Sequence, residues 1–142
     1  MAIDQVSIFM ENHPGRLVEI LDFLARRGFN LRAYSVAETP DFGILRMLVP
    51  DADAAVAALR QQGFTAQKNP VLAVLIPDEP GASVLPLRLL GQAGINIEYT
   101  YAFALGAQGG AVLLLRVDDI AGAQTVLSEV GVRLIEGDGA LF

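Results

Sequence analysis

The chain has 142 residues, 53% of them hydrophobic, with 10 Lys or Arg against 16 Asp or Glu for a net charge of −6. That length holds one ordinary domain or two very small ones, and the acidic balance speaks against a nucleic-acid partner, which needs clustered cations to displace counterions. The sequence has no cysteine, so disulfides, thiolate nucleophiles and thiolate metal sites are excluded. No apolar run reaches the roughly 18–20 residues of a membrane helix, and MAIDQVSIFMEN lacks the basic start of a secretion signal. A cytoplasmic chain with no membrane partner is the expectation.

Residues 3–10 predict a strand with Val6, Ile8 and Met10 on one face. A helix is expected from about 14 to 27. Leu17, Ile20, Leu21 and Leu24 recur at i, i+3, i+4 and i+7, while Arg16, Glu19, Asp22 and Arg26 face away. Pro14-Gly15 suits its start and Gly28 its left-handed stop. Arg26–Arg27 falls at its C-terminus, where cations suit the helix dipole. Strands follow at 29–38 and 43–49, joined by a turn around Thr39-Pro40-Asp41-Phe42-Gly43. Asp51 or Asp53 then caps an alanine-rich helix that Gly63 ends, and 64–68 forms a short last strand.

The pattern then repeats. Pro80-Gly81 follows Pro14-Gly15 by 66 residues, and the same offset pairs Val18 with Val84, Leu21 with Leu87, Leu24 with Leu90, Gly28 with Gly94 and Asn30 with Asn96. Copy two predicts a strand at 71–76, a helix at 81–93, strands at 95–105 and 110–117, a helix at 119–130 and a strand at 132–136. Domains are expected at 1–68 and 69–142, with Asn69–Pro70 at the joint. The fold class is α+β: two tandem ferredoxin-like βαββαβ units, each an antiparallel sheet with helices on one face. One residue resists, because Pro86 falls mid-helix at a cost of about 3 kcal/mol. Either that helix starts late, near Ser83 or Val84, or it kinks. Its apolar residues wrap more than one face, which predicts burial on two sides.

Topology alone does not give function. The central strands ILRMLV and AVLLLRV lack the aromatics and cations of an RNA-recognition sheet, and NHPGRL is a poor phosphate loop. Asn12-His13-Pro14-Gly15 with Gly28-Phe29-Asn30-Leu31, and Asp78-Glu79-Pro80-Gly81 with Gly94-Ile95-Asn96-Ile97, resemble the ACT domain. The ACT domain is a small-molecule-binding regulatory module of amino-acid metabolism. The resemblance spans nearly the whole chain, twice, so a free-standing tandem pair is the expectation.

The resemblance implies a non-catalytic amino-acid sensor with no cofactor and no metal, its ligand held where the first loop of a unit meets a second strand at an interface between units. The ligand-binding residues carried over are Asn12, His13, Pro14, Gly15, Arg16 and Leu17 with Phe29, Asn30 and Leu31 in copy one. In copy two they are Asp78, Glu79, Pro80, Gly81, Ala82 and Ser83 with Ile95, Asn96 and Ile97. The two glycines let backbone amides approach a ligand, and the positive end of the helix suits a carboxylate. A homodimer is expected, with a metabolic enzyme as a further partner. The competing reading is an interaction module that assembles with such an enzyme without binding ligand.

Simpler roles stand beside these. His13, the one histidine, has no nucleophile or second histidine near it in sequence, so a loop role or ligand contact outweighs catalysis. Asn30 and Asn96 are equally suited to tying the turns after Gly28 and Gly94 by side-chain bonds. The acidic Asp78-Glu79 sets the second loop apart from the first. Arg32 in copy one answers Glu98 in copy two, as an ion pair across the interface of the copies, as a division of roles between the two pockets, or simply as exposed strand residues. Tyr99, Tyr101 and Phe103 alternate on one strand face where copy one has Ala33, Ser35 and Ala37, which favours packing over a stacking platform.

Overall fold

The computed structural model describes residues 2–137 and 141. The elements run β1 (Ile3–Glu11), α1 (Arg16–Arg26), β2 (Ala33–Glu38), β3 (Phe42–Leu48), α2 (Ala52–Gln61), β4 (Thr65–Ile76), α3 (Val84–Gln92), β5 (Ile97–Ala104), a 3-10 turn (Gly106–Gln108), β6 (Ala111–Val117), α4 (Ile120–Glu129) and β7 (Leu134–Ile135). This is the expected β-α-β-β-α-β order, twice. The chain divides into two compact units, Asp4–Asn69 and Pro70–Leu141, the second taking in Met1–Ile3. The outer limits of the expected domains, Met1, 138–140 and Phe142, lie outside the described residues.

In the first unit the strands are ordered β2-β3-β1-β4. β1 and β2 both pair antiparallel with β3, Ile8 lying opposite Leu45 and Val36 opposite the same leucine. Alternation sends Val6, Ile8, Met10, Leu45 and Met47 to one face, where Ile20 and Leu24 of α1 and Ala55, Val56 and Leu59 of α2 close over them. Leu17 and Leu21 pack at the edge of this cluster, so the predicted stripe is the buried one. In the second unit the order is β7-β4-β6-β5, and Leu72, Val74, Leu113 and Leu115 meet Leu90 of α3 with Ala123 and Leu127 of α4. Each such buried leucine contributes about 1.5–3 kcal/mol by leaving water.

All four helices stop in the same way. After α1, Gly28 (φ 82°) donates to Ala25 O and Phe29 donates to Leu24 O, at 3.0 Å each. Gly63, Gly94 and Gly131 repeat the motif with Phe64, Ile95 and Val132. The left-handed glycine turns the chain so that the two amides reach back to orphan carbonyls. The starts are more varied: Asp51 accepts from Ala54 N and Asp119 from Gly122 N, whereas α1 and α3 begin without a side-chain cap.

Several expectations are corrected. The helix expected at 81–93 is Val84–Gln92, which puts Pro86 at its third position. The first amides of a helix have no intrahelical partner, so a proline there forfeits no bond. Val84 and Leu85, expected to be buried on two sides, are 45% and 53% exposed. The strands expected at 64–68 and 71–76 form one continuous strand, β4, with Pro70 inside it. The strand expected from residue 29 starts at Ala33, because residues 29–32 complete the turn out of α1.

Candidate functional site

The loop between β1 and α1 is held by its own bonds. Asn12 donates its backbone N to Asp41 O at 2.9 Å and its Nδ2 to Thr39 O at 3.0 Å, fastening the loop to the β2–β3 turn. That turn is closed by Thr39 N to Phe42 O and Phe42 N to Thr39 Oγ1. His13 is exposed, its Nε2 3.3 Å from Glu11 Oε2 and its Nδ1 3.1 Å from Pro14 O. Gly15 takes φ 86° and lets the chain turn into α1, where Glu19 N bonds to Gly15 O.

Arg16 does not face away from the fold as its helical position predicts. Its guanidinium lies over the Phe64 ring, 4.9 Å from the centroid, and its Nη1 is 3.1 Å from Glu19 Oε2. Its Nε is buried without a hydrogen-bond partner among the described residues. A cation over an aromatic face is attracted by the ring quadrupole, so Arg16, Glu19 and Phe64 form a lid on the end of the first unit. The other outward positions behave as expected, with Asp22 and Arg26 joined at 2.9 Å.

The second unit has the same frame without the lid. At the offset of 66 residues, Ala82 stands for Arg16 and Leu85 for Glu19. Val132, which bonds back to Leu127 O as Phe64 bonds to Leu59 O, stands for the aromatic ring. What remains is a groove of about 470 Å³ between the end of β4, the start of α3, the β5–β6 turn and the end of α4. Its walls are Leu75, Ile76, Pro77, Leu85, Pro86, Val130 and Val132, with Ala82, Gly109, Gly110, Gly131 and Arg133 completing the lining. Leu85 and Val130, both more than half exposed, stand at it. Gly81 (φ 76°) and exposed Asp78, Glu79 and Pro80 form the neighbouring loop.

The residues 29–31 and 95–97 lie elsewhere. α1 separates the Asn12–Leu17 loop from Phe29, Asn30 and Leu31, and its 11 residues span about 16 Å. α3 separates Asp78–Ser83 from Ile95, Asn96 and Ile97 in the same way. Within one unit the paired segments are therefore at opposite ends of a helix and do not enclose one small ligand. Phe29, Leu31 and Ile97 pack against the cores, and Ile95 is buried. Asn30 and Asn96 are exposed, and the turns before them are closed by backbone bonds to Leu24 and Leu90, not by their side chains. Asn96 instead takes part through its backbone, donating N to Asp118 Oδ1 at 3.0 Å and accepting from Asp118 N. Glu98 sits 3.8 Å from Arg116 of its own unit.

Phe64, Leu85 and Val130–Arg133 are the lid and groove residues that the motifs did not mark. A signal for Leu85 was present, since aligning the copies shows a polar pair, Arg16 and Glu19, against an apolar one, Ala82 and Leu85; none was present for Phe64 or Val130–Arg133. Among the described residues no group of three or more His, Asp or Glu side chains is arranged to hold a metal, and no helix is long and apolar enough to cross a membrane.

A family model described as an ACT domain pair matches residues 1–140. Among solved structures, protein BT0572 from Bacteroides thetaiotaomicron shares 38% identity over 95% of this chain and 92% of that one, with a TM-score of 0.88. The ligand-free regulatory subunit of aspartate kinase from Thermus thermophilus is similar in fold, at 17% identity over 90% and 92% and a TM-score of 0.65. The corresponding subunit from Thermus flavus gives 17% over 89% and 90%, with a TM-score of 0.64. The curated proteins offer no match.

Proposed function

The chain belongs to the ACT domain family as a pair of such domains, and from that premise we propose that it is a non-catalytic regulatory protein that binds an amino acid at its second copy. The observation that carries this reading is the unlidded groove beside the Asp78–Ser83 loop, set against the Arg16–Phe64 lid on the first copy. Its apolar walls suit an aliphatic side chain. The positive dipole end of α3 suits the carboxylate, although Val84 N is bonded to Gly81 O and Pro86 has no N–H, so the first turn offers few amides of its own. Asp78 and Glu79, on the same loop, suit the ammonium group. The volume lies within the range of ordinary small-molecule sites. Relatives in fold that are regulatory subunits of aspartate kinase support a role in controlling an enzyme.

On this reading the protein is a homodimer, and the ligand acts by favouring one arrangement of the assembly over another. It can do so only to the extent that it binds the two arrangements differently. Calorimetric titration with the standard amino acids tests the proposal. At least one aliphatic member is expected to bind, with Leu85→Asp weakening it tenfold or more, about 1.4 kcal/mol, and Gly15→Asp sparing it. Silence across the whole set would sink the sensor.

The self-contained bonding of the first loop favours a second reading for that copy alone, as an interaction surface for a metabolic enzyme. Asn12 is committed to the β2–β3 turn and Arg16 to Phe64. Co-purification of one enzyme without added ligand, abolished by Arg16→Ala, is what that reading expects.

A further inference from the structure

One cation lies among the apolar walls of the second copy's groove. Arg133 is the one residue with a polar side chain among the described residues that line it. Its backbone is fixed on both sides. Val132 N bonds to Leu127 O in the stop after α4, and Leu75 N bonds to Arg133 O at 2.9 Å. The second bond sets Arg133 opposite Leu75, itself a wall of the groove, one step beyond the β4–β7 pairs Val74–Leu134 and Ala73–Ile135. Arg133 is exposed, and its guanidinium has no ion pair or hydrogen bond among the described residues. Arg16, Arg26, Arg60 and Arg116 are all engaged, with Glu19, Asp22, Ala66 O and Pro70 O. The first copy has no counterpart, since Thr65 follows Phe64 where Arg133 follows Val132.

We propose that Arg133 takes the ligand's carboxylate, and that the groove therefore selects an aliphatic carboxylate with an amino or an oxo group beside it. This rests on the groove being the ligand site of the reading above and names the group that selects within it. The first turn of α3 supplies a positive dipole end but few free amides, so a carboxylate drawn there needs another donor. A guanidinium gives a carboxylate two parallel charge-assisted hydrogen bonds. The aliphatic side chain then lies against Leu75, Leu85, Val130 and Val132 and takes apolar surface out of water. An ammonium group has no such partner, because no carboxylate stands in the described lining. Asp78 and Glu79 are exposed on the loop beside the groove, where water weakens an ion pair. An amino acid therefore keeps its ammonium at the mouth, and a 2-oxo acid with the same side chain makes the same contacts inside.

Calorimetric titration of the whole chain with leucine, isoleucine and valine, each beside its carboxamide and its 2-oxo acid, tests the assignment. At least one amino acid is expected to bind, with its 2-oxo acid within about fivefold of it and its carboxamide at least about tenfold weaker. Arg133→Gln should bring the amino acid and the 2-oxo acid down to the level of the carboxamide and leave the carboxamide where it was. Arg133→Lys, which keeps the charge and loses the fork, should recover part of the loss. Arg88→Gln, on α3 and outside the described lining, should change none of these affinities. An Arg133→Gln variant that binds the amino acid as the wild type does overturns the assignment and leaves the sensor reading standing. An equal loss for amino acid and carboxamide, the mark of a distorted groove, does the same. A wild type that binds the amino acid and rejects its 2-oxo acid overturns the stated selectivity. Binding of a 2-oxo acid without its amino acid, lost in Arg133→Gln, upholds Arg133 and overturns the amino-acid reading. Silence from every amino acid and 2-oxo acid overturns both.

Discussion

Gly28 shows how one residue can be fixed by backbone geometry alone. Its φ is +82°, yet a Cβ built on it meets nothing within 4 Å. Gly28→Ala is therefore expected to destabilise by about 1–2 kcal/mol through the left-handed conformation and not through a clash, measurable by urea denaturation. Lys68 is fixed by charge instead. Its Nζ lies 2.7 Å from Asp53 Oδ1 and 3.6 Å from Asp4 Oδ2. The hydrogen bond to Asp53, then the charges of Asp4 and Asp53, raise its pKa above the usual 10.5. A cation whose pKa is higher folded than unfolded stabilises fully below the unfolded value, and that contribution is lost as pH rises through the folded one. The wild type should thus lose stability above about pH 10.5 more steeply than Lys68→Met, in paired denaturation curves on either side of that pH. Neither the Lys68 cluster nor the Arg16–Phe64 lid was legible in the sequence, because each joins residues that only tertiary folding brings together. The glycine stop was legible, since its cause is local.

At the scale of elements, periodicity located every helix and nearly every strand, because burial on one face imposes period 2 or 3.6 on the sequence. Leu24 is the clearest instance, predicted on the buried stripe of α1 and fully buried. Leu24→Ala should cost about 2–5 kcal/mol, transfer energy plus cavity, read from the shift of the denaturation midpoint. What periodicity misjudged were ends. α3 looked buried on two sides because Val84 and Leu85 are apolar. They belong to the first turn of α3, where Leu85 borders the groove and Val84 is half-exposed, and an apolar residue in either position reads like core. The Pro86 difficulty vanished once the helix began at Val84. Within one unit the Asn30 and Asn96 segments do not reach the first loop for a geometric reason: sequence spacing across a helix becomes a distance of three turns, not a contact.

For the whole molecule, internal duplication was the most legible property and ligand chemistry the least, since a motif marks the frame and the side chains lining a groove come from four separate elements. An amino acid bound at the second copy has a consequence beyond its own heat of binding. Ligand at about a hundred times its dissociation constant adds about 2.7 kcal/mol to the folded state. That should raise the melting temperature by several degrees, in differential scanning fluorimetry, for the amino acid found by calorimetry. Gly15→Asp should retain the shift and Leu85→Asp should lose it.

The four glycine stops also act as mileposts. Gly94 follows Gly28 by 66 residues, but Gly131 follows Gly63 by 68. Two residues have therefore been added to the second copy between those marks. The hairpin turn is longer by three, Thr39 to Asp41 separating β2 from β3 and the six residues from Leu105 to Gly110 separating β5 from β6, while the link to the next helix is shorter by one, residues 118–119 against 49–51. The addition lands on the turn whose Gly109 and Gly110 border the groove, the same rim where Arg16 became Ala82 and Glu19 became Leu85. Corresponding ends of the two copies of one frame therefore carry different linings, a cation over an aromatic ring in the first and apolar side chains with glycines in the second. The difference in length between the copies falls at that same end of the second one.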